Sequence, residues 1–156
     1  MLDELSSRNI AEGALVFTNH QTNGRGQMGN TWLSAPDVNL TFSIVLMPKW
    51  LKPTQQFYIT KLVSVTLIQL LNNLKNGFEI KWPNDIYFKN KKVAGVLIEN
   101  SIQQEKLNQS VIGIGLNVNE NQIDVGNGTS LFQILGNVVD RKELLQHFCE
   151  RLETNY

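Results

Sequence analysis

The sequence predicts an α/β domain of the α+β type: a mixed, largely antiparallel central sheet flanked by helices. Three observations carry that expectation. Leu40, Phe42, Ile44 and Leu46 alternate at period two, the pattern of a strand buried mainly on one face. Ile59, Leu62, Val63, Leu67, Leu70, Leu71 and Leu74 recur at helical spacing. Ile86-Tyr87-Phe88 and Val93 to Glu99 flank Lys89-Asn90-Lys91-Lys92, a polar connection of hairpin length.

Composition bounds what such a domain can be. Its 156 residues suffice to close one hydrophobic core, and 42% hydrophobic with 18% charged residues fits a folded globular chain. Fourteen basic residues balance fourteen acidic ones, so no overall field favours nucleic acid or an anionic membrane. No apolar run reaches the ~18 residues of a membrane span. The opening Met1-Leu2-Asp3-Glu4-Leu5 lacks the basic-then-apolar layout of a secretion signal. Cys149 is the single cysteine, which excludes an internal disulfide and suits a reducing, cytoplasmic setting. His20 and His147 have no companion ligands for a zinc-type site.

In chain order, Leu15-Val16-Phe17 reads as a short buried strand leading into a glycine loop over residues 21–31. The strand of residues 39–47 ends at Pro48; Val45 and Met47 imply partial cover on its second face. Pro53 and Thr54 open the long helix, and Gly77 falls just past its end. Residues 78–81 form a strand broken by Pro83. Ser110 to Val118 is a further strand, read as an exposed edge that could pair with a partner protein or a second copy of the chain. Glu99 reads as the surface end of its strand. Asp140, followed three residues later by Glu143, is the N-cap of a last helix carrying Leu144, Leu145, Phe148 and Leu152.

Two segments carry chemistry-bearing residues. Gly24, Gly26 and Gly29 let the backbone turn sharply and offer N–H groups to an anion, while Arg25 adds a fixed charge and Trp32 a flat cover. An ordinary surface turn is the alternative. The spacing is neither a Walker loop nor a dinucleotide fingerprint. In Lys81-Trp82-Pro83-Asn84-Asp85, Pro83 stiffens the segment and Trp82 anchors it. Lys81 and Asn84 would then meet phosphate oxygens, and Asp85 would hold Mg²⁺ through water or orient a lysine. The alternative is a tight turn in which Asn84 and Asp85 bond their own backbone. Lys92 can project over a half-buried site, whereas Lys89 and Lys91 read as a solvated tip. Gly95, Gly113 and Gly115 each weaken a strand by roughly 0.5–1 kcal/mol relative to alanine, which suggests close approach of a ligand; a bulge or crowding by the long helix is the other explanation.

Taken in order, these segments resemble the catalytic domain of biotin–protein ligases. Gln21-Thr22-Asn23-Gly24-Arg25-Gly26 with Trp32 is similar to the family's glycine loop. Lys81 to Asp85, Lys92 to Glu99 and Gly113-Ile114-Gly115-Leu116-Asn117-Val118-Asn119 match three further signatures in order. Thr129-Ser130-Leu131 and Asp140-Arg141 look like its later segment. The resemblance covers residues 11–156 and implies a fold like the class II aminoacyl-tRNA synthetases. It also implies ATP-dependent joining of biotin to a lysine of a carboxylase's biotin carrier domain through biotinyl-5′-AMP, with ATP, biotin and Mg²⁺ required and no nucleophile from the enzyme.

By position the resemblance makes Arg25 and Lys92 the catalytic pair, and Gln21, Gly24, Arg25, Lys92, Gly95, Leu97 and Gly113 the biotin contacts. Trp32, Lys81, Asn84 and Asn117 fall on the nucleotide side, with Asp85 the Mg²⁺ ligand through water. Three departures stand out. Gln27 and Asn30 occupy loop positions where many members have arginine, which implies a looser hold on the adenylate. The family's Glu-Ser-Thr-Asn segment has no counterpart, since Ser6 and Ser7 do not fit it. Its C-terminal small β-barrel and N-terminal DNA-binding domain are likewise not found, so residues 1–156 read as a catalytic core without a repressor role. A lipoyl or octanoyl transferase of the same superfamily and a non-catalytic biotin-binding remnant are the rival readings.

Overall fold

The computed structural model describes residues 10–123 and 126–156, and among these residues are eight strands and three α-helices. The strands are β1 (Leu15–Thr18), β2 (Gly24–Arg25), β3 (Thr31–Trp32), β4 (Leu40–Leu46), β5 (Phe78–Lys81), β6 (Asp85–Phe88), β7 (Lys91–Gln103) and β8 (Lys106–Leu116). The helices are α1 (Phe57–Leu74), α2 (Leu131–Leu135) and α3 (Arg141–Asn155). Six strands make one sheet in the order β1-β4-β8-β7-β6-β5, and every pairing in it is antiparallel. The expected largely antiparallel sheet flanked by helices is therefore the observed architecture.

Strand alternation gives the sheet two unlike faces. Leu40, Phe42, Ile44 and Leu46 point to the same side as Ile112, Ile114 and Leu116 of β8 and Ala94 and Val96 of β7, and all are buried in one cluster. Ile59, Val63, Leu67, Leu70 and Leu71 of α1 and Leu144, Phe148 and Leu152 of α3 complete that cluster. Phe148 meets Phe42 edge-on with centroids 5.2 Å apart, an arrangement worth ~0.5–1.5 kcal/mol beyond area burial. Among the described residues no helix covers the opposite face, which carries Gly95, Gly113 and Gly115 together with a second small cluster of Val45 and Val111 packed by Ile10, Met47 and Leu97. All the candidate chemistry lies there.

Several details depart from expectation, each for a physical reason. β1 is an edge strand whose Val16 and Phe17 are exposed, not a buried one. The glycine loop is partly structured: β2 pairs with β3 around a 3₁₀ turn at Gln27–Gly29. β4 is buried on both faces throughout: the loop approaches its second side at Thr41 and Ser43, and Val45 packs there with Val111, Ile10, Met47 and Leu97. A 3₁₀ turn at Pro53–Gln55 precedes α1, which begins at Phe57. Trp82 is 75% exposed and does not act as an anchor among the described residues. β7 and β8 run far beyond the apolar core because a two-residue turn at Gln104 and Glu105 closes them into one long hairpin. Glu99 consequently stands in mid-strand. The stretch expected as an exposed edge, Ser110–Val118, lies in the sheet interior between β4 and β7, so it is not open to pairing. The expectations about Met1 to Leu5 and about Ser6 and Ser7 fall outside the described residues.

α3 starts as its sequence requires. Asp140 accepts hydrogen bonds from the backbone N–H of Glu143 at 3.2 Å and Lys142 at 2.8 Å, and these bonds hold its carboxyl below the ordinary carboxylate range. A depressed folded pKa means the cap stabilises above the unfolded value and is lost as pH falls through the folded one. Asp140→Ala should accordingly lower the melting temperature at neutral pH. The gap to the parent protein should close progressively as acid protonates Asp140, which thermal melts at stepped pH would reveal.

Candidate functional site

The site face is laid out by strand register. Thr18, Thr41, Gly115, Gly95, Asp85 and Lys81 form one cross-strand row, and Val16, Ser43, Gly113 and Leu97 form the next. Glycine at the centre of both rows leaves a trough in the sheet. The glycine loop folds over it: Gly24 pairs with Trp32 and Arg25 with Thr31, and Gly26 N–H donates to the Asn30 carbonyl at 2.7 Å. A Cβ on Gly24 would fall 2.3 Å from the Trp32 carbonyl oxygen, so this pairing admits no side chain. The Trp32 ring lies directly on Gly115, where a Cβ would come within 2.2 Å of ring carbon Cε2. Gly115 thus answers to the loop and Gly95 to the Lys92 side chain, and neither is crowded by α1.

Two adjoining cavities result. The smaller, about 260 Å³, has Thr41, Ser43, Gly95, Leu97 and Gly113 among its lining and Arg25, Gln27 and Asn30 on its loop side. The larger, about 640 Å³, runs past Tyr87, Asn117 and Gly128. Gln21, Thr31, Trp32 and Lys92 line both. A cation therefore stands where the two spaces meet.

Lys92 is held there from both ends. Its backbone N–H donates to the Asn127 carbonyl and its carbonyl accepts from Thr129 N–H, each at 2.8 Å. Its Nζ lies 2.7 Å from Asp85 Oδ1 and 5.9 Å from the centroid of Trp32. The lysine stem crosses Gly95, whose absent Cβ would otherwise sit 3.3 Å from both Cε and Nζ. A register shift between Ile86 and Tyr87 accompanies this arrangement and brings Lys92 opposite Tyr87. Arg25 on the loop is 3.7 Å from Glu99 of β7, both side chains being largely exposed.

The remaining sequence-predicted residues divide by task. Asn84 lines the smaller cavity, and its side-chain N–H₂ donates to the Val96 carbonyl at 2.7 Å while Val96 N–H returns a bond to the Asn84 carbonyl. Asn117 borders the larger cavity with its N–H₂ donated to the Thr129 carbonyl at 3.1 Å. Gly24 lies beneath the loop and lines neither space, whereas Gly26 lines the smaller. Lys81 also lines neither; its Nζ stacks 4.5 Å from the ring centroid of Tyr87 and 3.4 Å from that hydroxyl. Thr41 and Ser43 were not singled out from sequence, although polar residues alternating with a buried apolar row were a usable signal. Among the described residues, no three of His, Cys, Asp or Glu are grouped to hold a metal ion, and no helix is long and apolar enough to cross a membrane.

This geometry agrees with the relationships of the chain. Residues 1–117 match the model of the biotin/lipoate A/B protein ligase family, and the chain belongs to that family. It is 35% identical over 160 residues to the bifunctional ligase/repressor BirA of Bacillus subtilis, covering 98% of this chain and 49% of that protein. Against the biotin–protein ligase of Homo sapiens it is 30% identical over 125 residues, covering 76% of this chain and 17% of that one. The solved biotin protein ligase from Aquifex aeolicus in complex with biotin and ATP superimposes with a TM-score of 0.82 at 34% identity, covering 99% of this chain and 65% of that one. The chain thus spans about half the length of its bacterial relative.

The trough makes a direct prediction. Gly115→Ala should force the indole off the sheet, seen as a red shift of Trp32 emission in a background with Trp50 and Trp82 replaced by phenylalanine. An unshifted spectrum would mean the ring does not rest there.

Proposed function

We propose that this chain is the catalytic core of a biotin–protein ligase. It would join biotin to a lysine of a carboxylase's biotin carrier domain at the expense of ATP. The observation that supports this most is the position of Lys92 between two cavities, one sized for a small acid and one larger. In the first step a carboxylate oxygen of biotin attacks the α-phosphorus of ATP. The bond to the bridging oxygen breaks and pyrophosphate leaves. In the second, the carrier lysine's amine attacks the acyl carbon, and AMP leaves with the bonding pair.

Both steps gather negative charge on the α-phosphate oxygens, and we assign Lys92 and Arg25 to stabilise it. Gln21, Gly95, Leu97 and Gly113 would contact biotin, and Gly24 would shape the loop above it. Trp32, Asn84 and Asn117 would border the nucleotide. Lys81 would act from the rim, through Tyr87. Holding both reactants side by side supplies much of the remaining acceleration.

For Asp85 we revise the expected metal role. One carboxylate already paired with a lysine is a poor seat for a hard cation, which takes several oxygen ligands. Mg²⁺ would arrive on the nucleotide as part of the substrate, and Asp85 would position Lys92.

The deciding assay is biotin-dependent exchange of labelled pyrophosphate into ATP. A non-catalytic biotin-binding remnant would show none, and an octanoyl transferase would act on octanoate without biotin. Lys92→Ala should slow exchange by ~100-fold or more, with thermal melts checking that the variant is folded at the assay temperature. Near-normal exchange in that variant would remove Lys92 from the mechanism. The uncharged Gln27 and Asn30 on the cavity wall should let the adenylate escape readily. Gln27→Arg combined with Asn30→Arg should therefore reduce labelling of bystander proteins at equal turnover on the carrier.

A further inference from the structure

Two buried hydroxyls on the site face have nothing to bond. Thr41 and Ser43 stand two residues apart on β4, 6% and 0% exposed, and neither hydroxyl oxygen has a hydrogen-bond partner among the described residues. Both residues line the smaller cavity. An unpaired buried hydroxyl costs ~1–3 kcal/mol of lost hydration, and valine and alanine would fill the same space without that penalty.

A third unpaired group lies in the same cavity. The Trp32 indole N–H is buried without a partner while its ring presses on Gly115, the residue opposite Thr41. In this position the ring covers the strand beside Thr41, and both hydroxyls are closed off from solvent. An indole with its N–H unsatisfied is weakly held, and a ligand able to pair the hydroxyls beneath has an advantage over it.

We infer that Thr41 and Ser43 form a hydrogen-bonding floor that selects an acid with a polar cyclic head group, such as a ring urea or amide, over a saturated fatty acyl chain. The inference rests on the ligase reading above and names the side chains that would separate its substrate from the fatty acid of the rival reading. Register supplies the length. Lys92 on β7 and the two hydroxyls on β4 are separated by β8, two strand spacings or about 10 Å. A carboxylate at Lys92 and a head group at the floor would span that distance in biotin and in octanoate alike, so length does not discriminate between them. Hydrogen bonding does: an alkyl end leaves both hydroxyls unpaired beneath it, and a site of this kind rejects the ligand that cannot bond.

The test is calorimetric titration of biotin and octanoate into the parent protein, Thr41→Val, Ser43→Ala and the double variant, with thermal melts of each unliganded protein. Biotin affinity should fall ~10-fold in each single variant and ~100-fold in the double variant, while octanoate gains. The unliganded melting temperatures should hold or rise, because no bond within the fold is lost. Variants that bind biotin as the parent does would overturn the inference and leave the ligase reading standing. Melting temperatures that drop would overturn it too, by showing that the hydroxyls serve the fold. A parent protein that takes octanoate and not biotin would overturn both readings together.

Discussion

The contact between the Trp32 ring and Gly115 is the constraint around which the site is arranged. It requires a bare backbone in the middle of a central strand, and it requires the loop to deliver an aromatic ring at that point. Both requirements propagate. Gly24 must lack a side chain so that the loop can pair with itself and reach down beside Thr41 of β4. The separation into two cavities, with Trp32 and Lys92 on their common boundary, follows from the same contact.

Charge is balanced in pairs over the trough. Lys92 is tied to Asp85 at 2.7 Å with both side chains mostly covered, whereas Arg25 faces Glu99 at 3.7 Å with 48% and 39% of the side chains exposed. Such an exposed pair contributes only ~0–1 kcal/mol. Lys92 is fixed by its carboxylate and by the backbone bonds to Asn127 and Thr129, whereas Arg25 is carried on the glycine loop and reaches β7 through Glu99.

What could be read from the sequence depended on whether a residue's reason was local. The α1 stripe, the Asp140 cap and the period-two row of β4 express local rules and were found where expected. The turn at Gln104 and Glu105 was not, because both residues take positive φ without the glycine or asparagine that normally signals it. That one turn concealed the outer halves of β7 and β8, and with them the interior position of Ser110–Val118 and the mid-strand position of Glu99. The short α2 escaped notice because five residues carry too little periodicity. At the site, Arg25 and Lys92 were singled out through a sequence pattern, and both line the smaller cavity. Thr41 and Ser43 showed in the sequence only as polar positions alternating with an apolar row, since what faces them comes from other parts of the chain.

The two faces of the sheet also divide stability from chemistry. On β8 the residues Ile112, Ile114 and Leu116 are 0%, 2% and 1% exposed beneath the helices, and full burial of such side chains contributes ~1.5–3 kcal/mol each. The glycines that alternate with them, Gly113 and Gly115, each weaken the strand by ~0.5–1 kcal/mol. The helix-covered face outweighs that loss, and β8 is paired along both edges by β4 and β7. A central strand stabilised from one side can leave its other side bare. That margin lets the sheet hold a trough, unpaired hydroxyls and a loosely seated indole at its centre while its register stays fixed.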